Sequence, residues 1–163
     1  MFRTPKWGGK EDVPFIAISD DFGDIVHGVF LAPEKWNGKL VQGVSDIRSL
    51  DNVTSEFENG QFKRIITSQC VTLTHSSVTG KKSRFEEVEW QDLQTFGVRA
   101  LEGVKLMFGF CQESGGRYYG VETEASTAAE LKKLAAEAQG KSGQDTELLG
   151  LADFFKREFA GKK

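Results

Sequence analysis

Tyr118 and Tyr119 stand directly behind a glycine pair, Gly115 and Gly116, at the end of a strongly apolar segment, WQDLQTFGVRALEGVKLMFGFCQESGGRYYG, which runs from residue 90 to residue 120. A tyrosine offers an aromatic face with a polar tip, the combination that suits a mostly apolar pocket with a few directing polar groups. Trp90, Met107 and Phe108 share that character within the same segment, so these five residues are the candidates for a substrate cleft. The competing reading makes Trp90, Met107 and Phe108 ordinary core, with Tyr118 and Tyr119 in a surface loop set by the surrounding glycines. Other reactive residue types are isolated. Cys70 and Cys111 each lie in apolar surroundings, and neither they nor His27 and His75 show paired metal-ligand spacing, so buried free thiols and no metal site are expected. His27 has no cysteine, serine or carboxylate spaced to orient it and reads as a rim residue. Glu86, Glu87 and Glu89 interleave along a short strand pattern and read as its solvated face rather than as an acid and base pair. No catalytic residue is assigned.

The candidates must be positioned by a helix. Between Arg99 and Glu113, Ala100, Leu101, Val104, Met107, Phe108 and Cys111 recur at helical spacing, and Leu106 and Phe110 widen the stripe. So wide a stripe predicts the spine of a core, with Glu102 and Lys105 pairing on its exposed edge and with Gly115 and Gly116 ending it. Ahead of it, residues 1–12 read as an irregular lead-in. VPFIAIS (residues 13–19) reads as a strand, and Ser19, Asp20 and Asp21 as N-caps of a helix carrying Phe22, Ile25, Val26, Val29 and Phe30. Pro33 limits that helix. The Asn37–Gly38 turn leads into a second strand, KLVQGVS (residues 39–45), and Ser49 caps a short helix. Residues 61–77 are strand by propensity, 78–82 a turn, and RFEEVEW (residues 84–90) a further strand. Thr127 and Glu130 form a capping box for a helix with Leu131, Leu134, Ala135 and Ala138 on one face, stopped by Gly140. Leu151, Phe154, Phe155 and Phe159 mark a final amphipathic helix.

The chain has 163 residues and a formal net charge of -3, enough length for a sizeable core and no basic field for nucleic acid. No apolar run approaches the roughly 20 residues that a membrane crossing needs, and the first residues show no signal peptide. A protein that binds neither nucleic acid nor membrane is expected, cytoplasmic and also compatible with the nucleus.

Three segments, in order, resemble the C-terminal portion of the NmrA-like family, relatives of the short-chain dehydrogenases. The first is IAISDDFGDIVHGVFLAPEKWNGKLV, with an Asp-x-Gly helix start at Asp21 and Gly23 and the Asn37–Gly38 turn. The second is VTGKKSRFEEVEW. The third is LEGVKLMFGFCQESGGRYYG followed by LGLADFFKREF. The resemblance covers about three quarters of the chain. It implies an α/β fold: late strands of a Rossmann-like parallel sheet plus a mostly helical substrate-side subdomain, an incomplete NmrA-like fold spanning residues 1–163. Members of that family pass almost directly from a segment like SEFE to one like VTGKK, so residues 59–77 are either an atypical insertion or an unspliced intron read in frame, and on the second reading Cys70 and His75 carry no function.

In that family NAD(P) sits on an N-terminal strand, a glycine-rich turn and a helix. Gly115, Gly116 and Gly120 follow a helix and cannot replace that turn, and Tyr118 and Tyr119 are followed by no lysine at Tyr-x-x-x-Lys spacing. The expectation is therefore that the nucleotide-binding half lies outside this chain and that the chain alone binds no cofactor. Three functional readings stand: a redox-sensing regulator that controls a protein partner, the substrate-side half of an NAD(P)H-dependent reductase acting on a small molecule, and a truncated product inactive by itself.

Overall fold

The computed structural model describes residues 2–56 and 85–159. The stretch 61–77, the turn at 78–82, and with them Cys70 and His75, lie outside the described residues. The protein is mixed α/β, with two small sheets among the described residues, and it divides into two compact units. One comprises residues 1–13, 48–122 and 155–163, the other residues 14–47 and 123–154.

In the first unit, β1 (Phe2–Pro5) pairs in parallel with β4 (Phe85–Val88), Arg3 opposite Glu86 and Thr4 opposite Glu87. The lead-in is thus a strand over its first residues, against expectation. Pro5 and the glycines gave no local sign of it, because its partner strand lies more than 80 residues away. The glutamates of β4 alternate across the strand and each ends in an ion pair: Glu86 receives two hydrogen bonds from Arg3, at 3.1 and 3.2 Å, and Glu87 lies 3.3 Å from the Lys6 ammonium. Ser49 does cap the short helix α3 (residues 50–56), accepting the Asn52 N–H at 3.2 Å.

The predicted helix forms as α4 (Arg99–Glu113), but only Phe108, Gly109 and Cys111 are buried. Leu106 is 65% exposed and Phe110 52% exposed, so the helix covers one face near its C-terminal end and is not the spine of a core among the described residues. Glu102 and Lys105 do not pair on its edge. Glu102 accepts from the Thr95 hydroxyl, and Lys105 donates to the Gln91 carbonyl, each holding the loop before the helix.

In the second unit, β2 (Val13–Phe15) and β3 (Asp46–Arg48) form the other sheet, with the Ser45 N–H donating to the Phe15 carbonyl at 2.7 Å. KLVQGVS is not the strand. Gln42, Val44 and Ser45 are its buried residues, with Val41 partly covered and Leu40 57% exposed, and no ladder pairing is made over residues 39–45. Gln42 is buried, and its side chain accepts the Glu124 N–H at 3.1 Å, so the segment serves as a connector.

A single wide turn of π-helix, Ile18–Phe22, precedes α1 (Gly23–Leu31), and α2 (Pro33–Trp36) follows at the proline. Asp21 does not cap α1. It is fully buried and pairs with Lys132 of α5 (Ser126–Ala138). On the α1 stripe, Ile25 is buried against Ala128 and Leu131 with Val29 partly covered, while Phe22 and Phe30 remain exposed. The two helices cross so closely that a β-carbon on Gly28 would stand 2.3 Å from the Leu131 carbonyl oxygen.

The expected capping box is also replaced. The Glu124 carboxylate accepts from the Thr127 N–H at 3.0 Å and from the Ser126 hydroxyl. Burial pushes the Glu124 carboxyl up, but these hydrogen bonds outweigh it and hold it below the ordinary value. Glu130 instead turns outward to Lys35. The chain then runs through a 3-10 turn, Gly143–Thr146, into α6 (Leu151–Phe159).

Candidate functional site

The site grows from the C-terminal end of α4. Its helix stops as the glycines predict: Gly115 and Gly116 take φ of 68° and 82°, and the Gly116 N–H returns to the Cys111 carbonyl at 2.7 Å. The lead-in after β1 crosses this terminus backbone against backbone. A β-carbon on Gly9 would lie 2.0 Å from the Gly115 carbonyl oxygen, and one on Gly116 would lie 2.6 Å from that of Gly8. Only glycines permit so close a crossing. Glu11 ties the lead-in turn by accepting the N–H groups of Trp7 and Gly8 at 3.1 and 2.9 Å, and the Gln112 side chain donates to the Lys6 carbonyl at 2.9 Å.

This crossing seats Trp7, 4% exposed, with its indole N–H donating to the Gly116 carbonyl at 3.1 Å. Phe108 meets the indole edge to face at 5.9 Å, and Tyr118 lies on it at 5.8 Å, tilted by 37°. Tyr119 stands at right angles to Tyr118, 5.0 Å away. Three of the five cleft candidates, Phe108, Tyr118 and Tyr119, are therefore joined in one aromatic corner, with Tyr118 42% exposed at its surface. Trp90 packs against α4 away from the corner: from the short turn Trp90–Asp92 its indole rests on Gly109, where a β-carbon would come within 3.1 Å of the ring. Met107 is half-buried on the same helix. Sequence reasoning missed Trp7, the centre of the corner. The available signal was a tryptophan directly ahead of two glycines, a place where backbone can approach closely beside a large ring.

The titrating groups here are held in their neutral forms. Burial pushes the Cys111 thiol up to about 11, so it is no nucleophile near neutral pH. Burial, and then the neighbouring Tyr118, push the Tyr119 phenol up, which keeps it a hydrogen-bond donor. His27 sits on α1 as a half-buried rim residue, its Nδ1 3.2 Å from the Gln139 amide nitrogen. Among the described residues no cluster of histidine, cysteine and carboxylate groups suits a metal, and no helix is long and apolar enough to cross a membrane.

A dinucleotide pyrophosphate needs unopposed N–H groups at a helix start. Carboxylates stand at four of the described helix starts. Asp20, Asp21 and Asp24 surround the start of α1, the Glu124 carboxylate occupies the start of α5, the Asp46 carboxylate accepts the Leu151 N–H at 2.8 Å at the start of α6, and α4 carries Glu102 in its first turn. Negative charge at those four starts disfavours a pyrophosphate there.

A second surface was not foreseen. Val29, Phe30, Pro33 and Trp36 line an open, mostly apolar depression of about 440 Å³ in the other unit, with the Lys35 and Lys39 ammonium groups 4.9 and 5.6 Å from the Trp36 ring centre.

No family model matches the chain. Curated relatives match nearly all of it. An NmrA-like family domain-containing oxidoreductase, hkm9 of Aspergillus hancockii, is 46% identical over 160 residues, covering 97% of this chain and 42% of the relative. FrzB of a Cladobotryum species, named in the same words, is 44% identical over 99% of this chain and 45% of its own length. The similarly named lnaB of Aspergillus flavus is 44% identical over 98% of this chain and 43% of its own length. The chain thus spans less than half the length of the curated relatives it matches.

Proposed function

Because the chain belongs to the NmrA-like family, we propose that it supplies the C-terminal, substrate-side part of an NAD(P)-dependent oxidoreductase whose nucleotide-binding half is not among its residues. The observation that carries this reading is identity of 44–46% to oxidoreductases over at least 97% of the chain. The carboxylates at the helix starts support assigning the pyrophosphate to another segment. The aromatic corner then forms one wall of the substrate cleft: Tyr118 offers its half-exposed ring to a flat apolar part of the substrate, and the neutral Tyr119 phenol donates a hydrogen bond. Residues 59–77 are an insertion on this reading, dispensable to the corner.

The regulator reading draws support from a different observation. The phenol of Tyr119 and the thiol of Cys111 are both moved away from neutrality, so neither is tuned to shuttle protons at physiological pH. A chimera separates the two. When this chain replaces the matching segment of the hkm9 relative, the oxidoreductase reading expects NADPH binding and NADPH consumption, with Tyr118→Ala raising KM at least several-fold. NADPH binding without consumption of reduced cofactor favours the regulator. Micromolar binding of NADPH by the present chain alone overturns the assignment of the nucleotide site to another segment.

A further inference from the structure

Asp21 and Lys132 are 111 residues apart in the chain and meet with side chains 0% and 7% exposed. Two charges removed from water in this way incur a desolvation cost that their attraction often fails to recover, so such a pair is weak grounds for stability and better suited to fixing register. Three further features surround it. Asp21 lies in the single π-helical turn Ile18–Phe22 and is its buried residue, and such turns recur at functional positions. Its second oxygen accepts the Leu149 N–H at 3.0 Å. Two residues on, the Asp46 carboxylate accepts the Leu151 N–H at 2.8 Å, and a β-carbon on the intervening Gly150 would make ordinary contact with the same oxygen at 3.4 Å. The connection from α5 to α6 is therefore gripped at two alternate backbone N–H groups by carboxylates from two other segments. Leu148 is the residue of this connection that joins the apolar cluster of Ile25, Ala128 and Leu131.

We propose that Asp21, Lys132 and Asp46 form a latch that fixes the path of residues 149–151 into α6. Lys132 aims the Asp21 carboxylate, Asp21 and Asp46 hold the backbone, and the ion pair serves position rather than net stability. The latch is distinct from the aromatic corner and does not depend on the reading of that corner.

Hydrogen exchange of the full chain, followed amide by amide, tests it beside thermal melting. The double variant Asp21→Leu with Lys132→Met keeps the volume and removes both charges and the acceptor. It is expected to melt within a few degrees of the parent while the Leu149 amide exchanges at least tenfold faster. The double variant Asp21→Asn with Lys132→Met keeps a carbonyl oxygen for Leu149 and is expected to restore most of that protection. Asp46→Ala is expected to release Leu151 in the same way. The proposal is overturned if Leu149 protection is unchanged in the first double variant. It is equally overturned if that variant melts ten degrees or more lower, or fails to fold, with protection lost evenly across α1 and α5, since the pair would then be a plain stabiliser.

Discussion

The unit that carries α4 and the unit that carries α1 and α5 both bring two stretches of backbone into contact, by different means. Around α4 the contact is made by glycines with positive φ, Gly9 at 60° and Gly116 at 82°, and the space beside them is filled by the rings of Trp7, Phe108 and Tyr118. Between α1 and α5 the contact is made at Gly28, in ordinary helical geometry, and the polar element beside it is a buried ion pair. In the first case conformation and space are both restricted; in the second only space is, and a charge is added. A crossing built on unusual φ values is intolerant of any side chain, whereas a helix crossing can separate slightly and keep its shape. Charge, by contrast, makes the second unit the more sensitive to losing one partner.

The largest effect should follow from breaking the charge balance of the second unit. Lys132→Met alone leaves the Asp21 carboxylate buried without its partner, and a loss of about 3–5 kcal/mol is expected in urea denaturation. A loss under about 1 kcal/mol would mean that water reaches Asp21. Gly9→Ala comes next. It combines a left-handed conformation, roughly 1–2 kcal/mol, with overpacking, roughly 1–3 kcal/mol. Gly28→Ala should destabilise less, because alanine returns about 1 kcal/mol of helix propensity and α5 can move outward. The reverse order would show that the helix crossing is the more rigid of the two.

A pH effect belongs to the first unit. The Cys111 thiol is raised from 9.0 to about 11, so the folded state holds its proton where the unfolded chain has lost it. Stability should therefore fall as pH rises from 9 to 11, with the Tyr119 phenol adding to the fall in the same direction. Cys111→Ala should flatten that decline, and Cys111 in the folded parent should resist alkylation at pH 8 when its peptide is followed by mass spectrometry. Rapid alkylation there would place the thiol at the surface. The smallest effect is expected for Arg3→Ala, which removes a solvent-facing pair with Glu86 and should cost less than about 1 kcal/mol. A larger loss would mean that the β1–β4 ladder depends on its charges.

Features encoded within a few residues could be read from the sequence. The bounds of α4, its glycine stop, the helix bearing Ile25 and the one bearing Leu131 follow from side chains three and four apart and from glycine's conformational freedom. The family could be read as well, from ordered short motifs. Misreadings arose where a residue's partner is distant. Asp21 was assigned to an N-cap because aspartate before an apolar stripe does that locally, yet its partners are Lys132 and the Leu149 N–H. Thr127 and Glu130 had capping-box spacing, but Glu124 took the cap and Lys35 took Glu130.

By itself, the sequence determined the longer helices, where glycine ends α4 and α5, and which aromatic residues could serve a cleft. Those outcomes depend on backbone conformation and on neighbours within one or two turns, so local chemistry is sufficient. The tertiary structure decided that the lead-in is a strand, that Trp7 is the centre of the aromatic corner, and that Asp21 is buried. Each of those depends on groups that touch only after about 80 to 130 residues of chain have folded back, and burial then sets whether a carboxylate caps a helix, meets water or holds an ammonium.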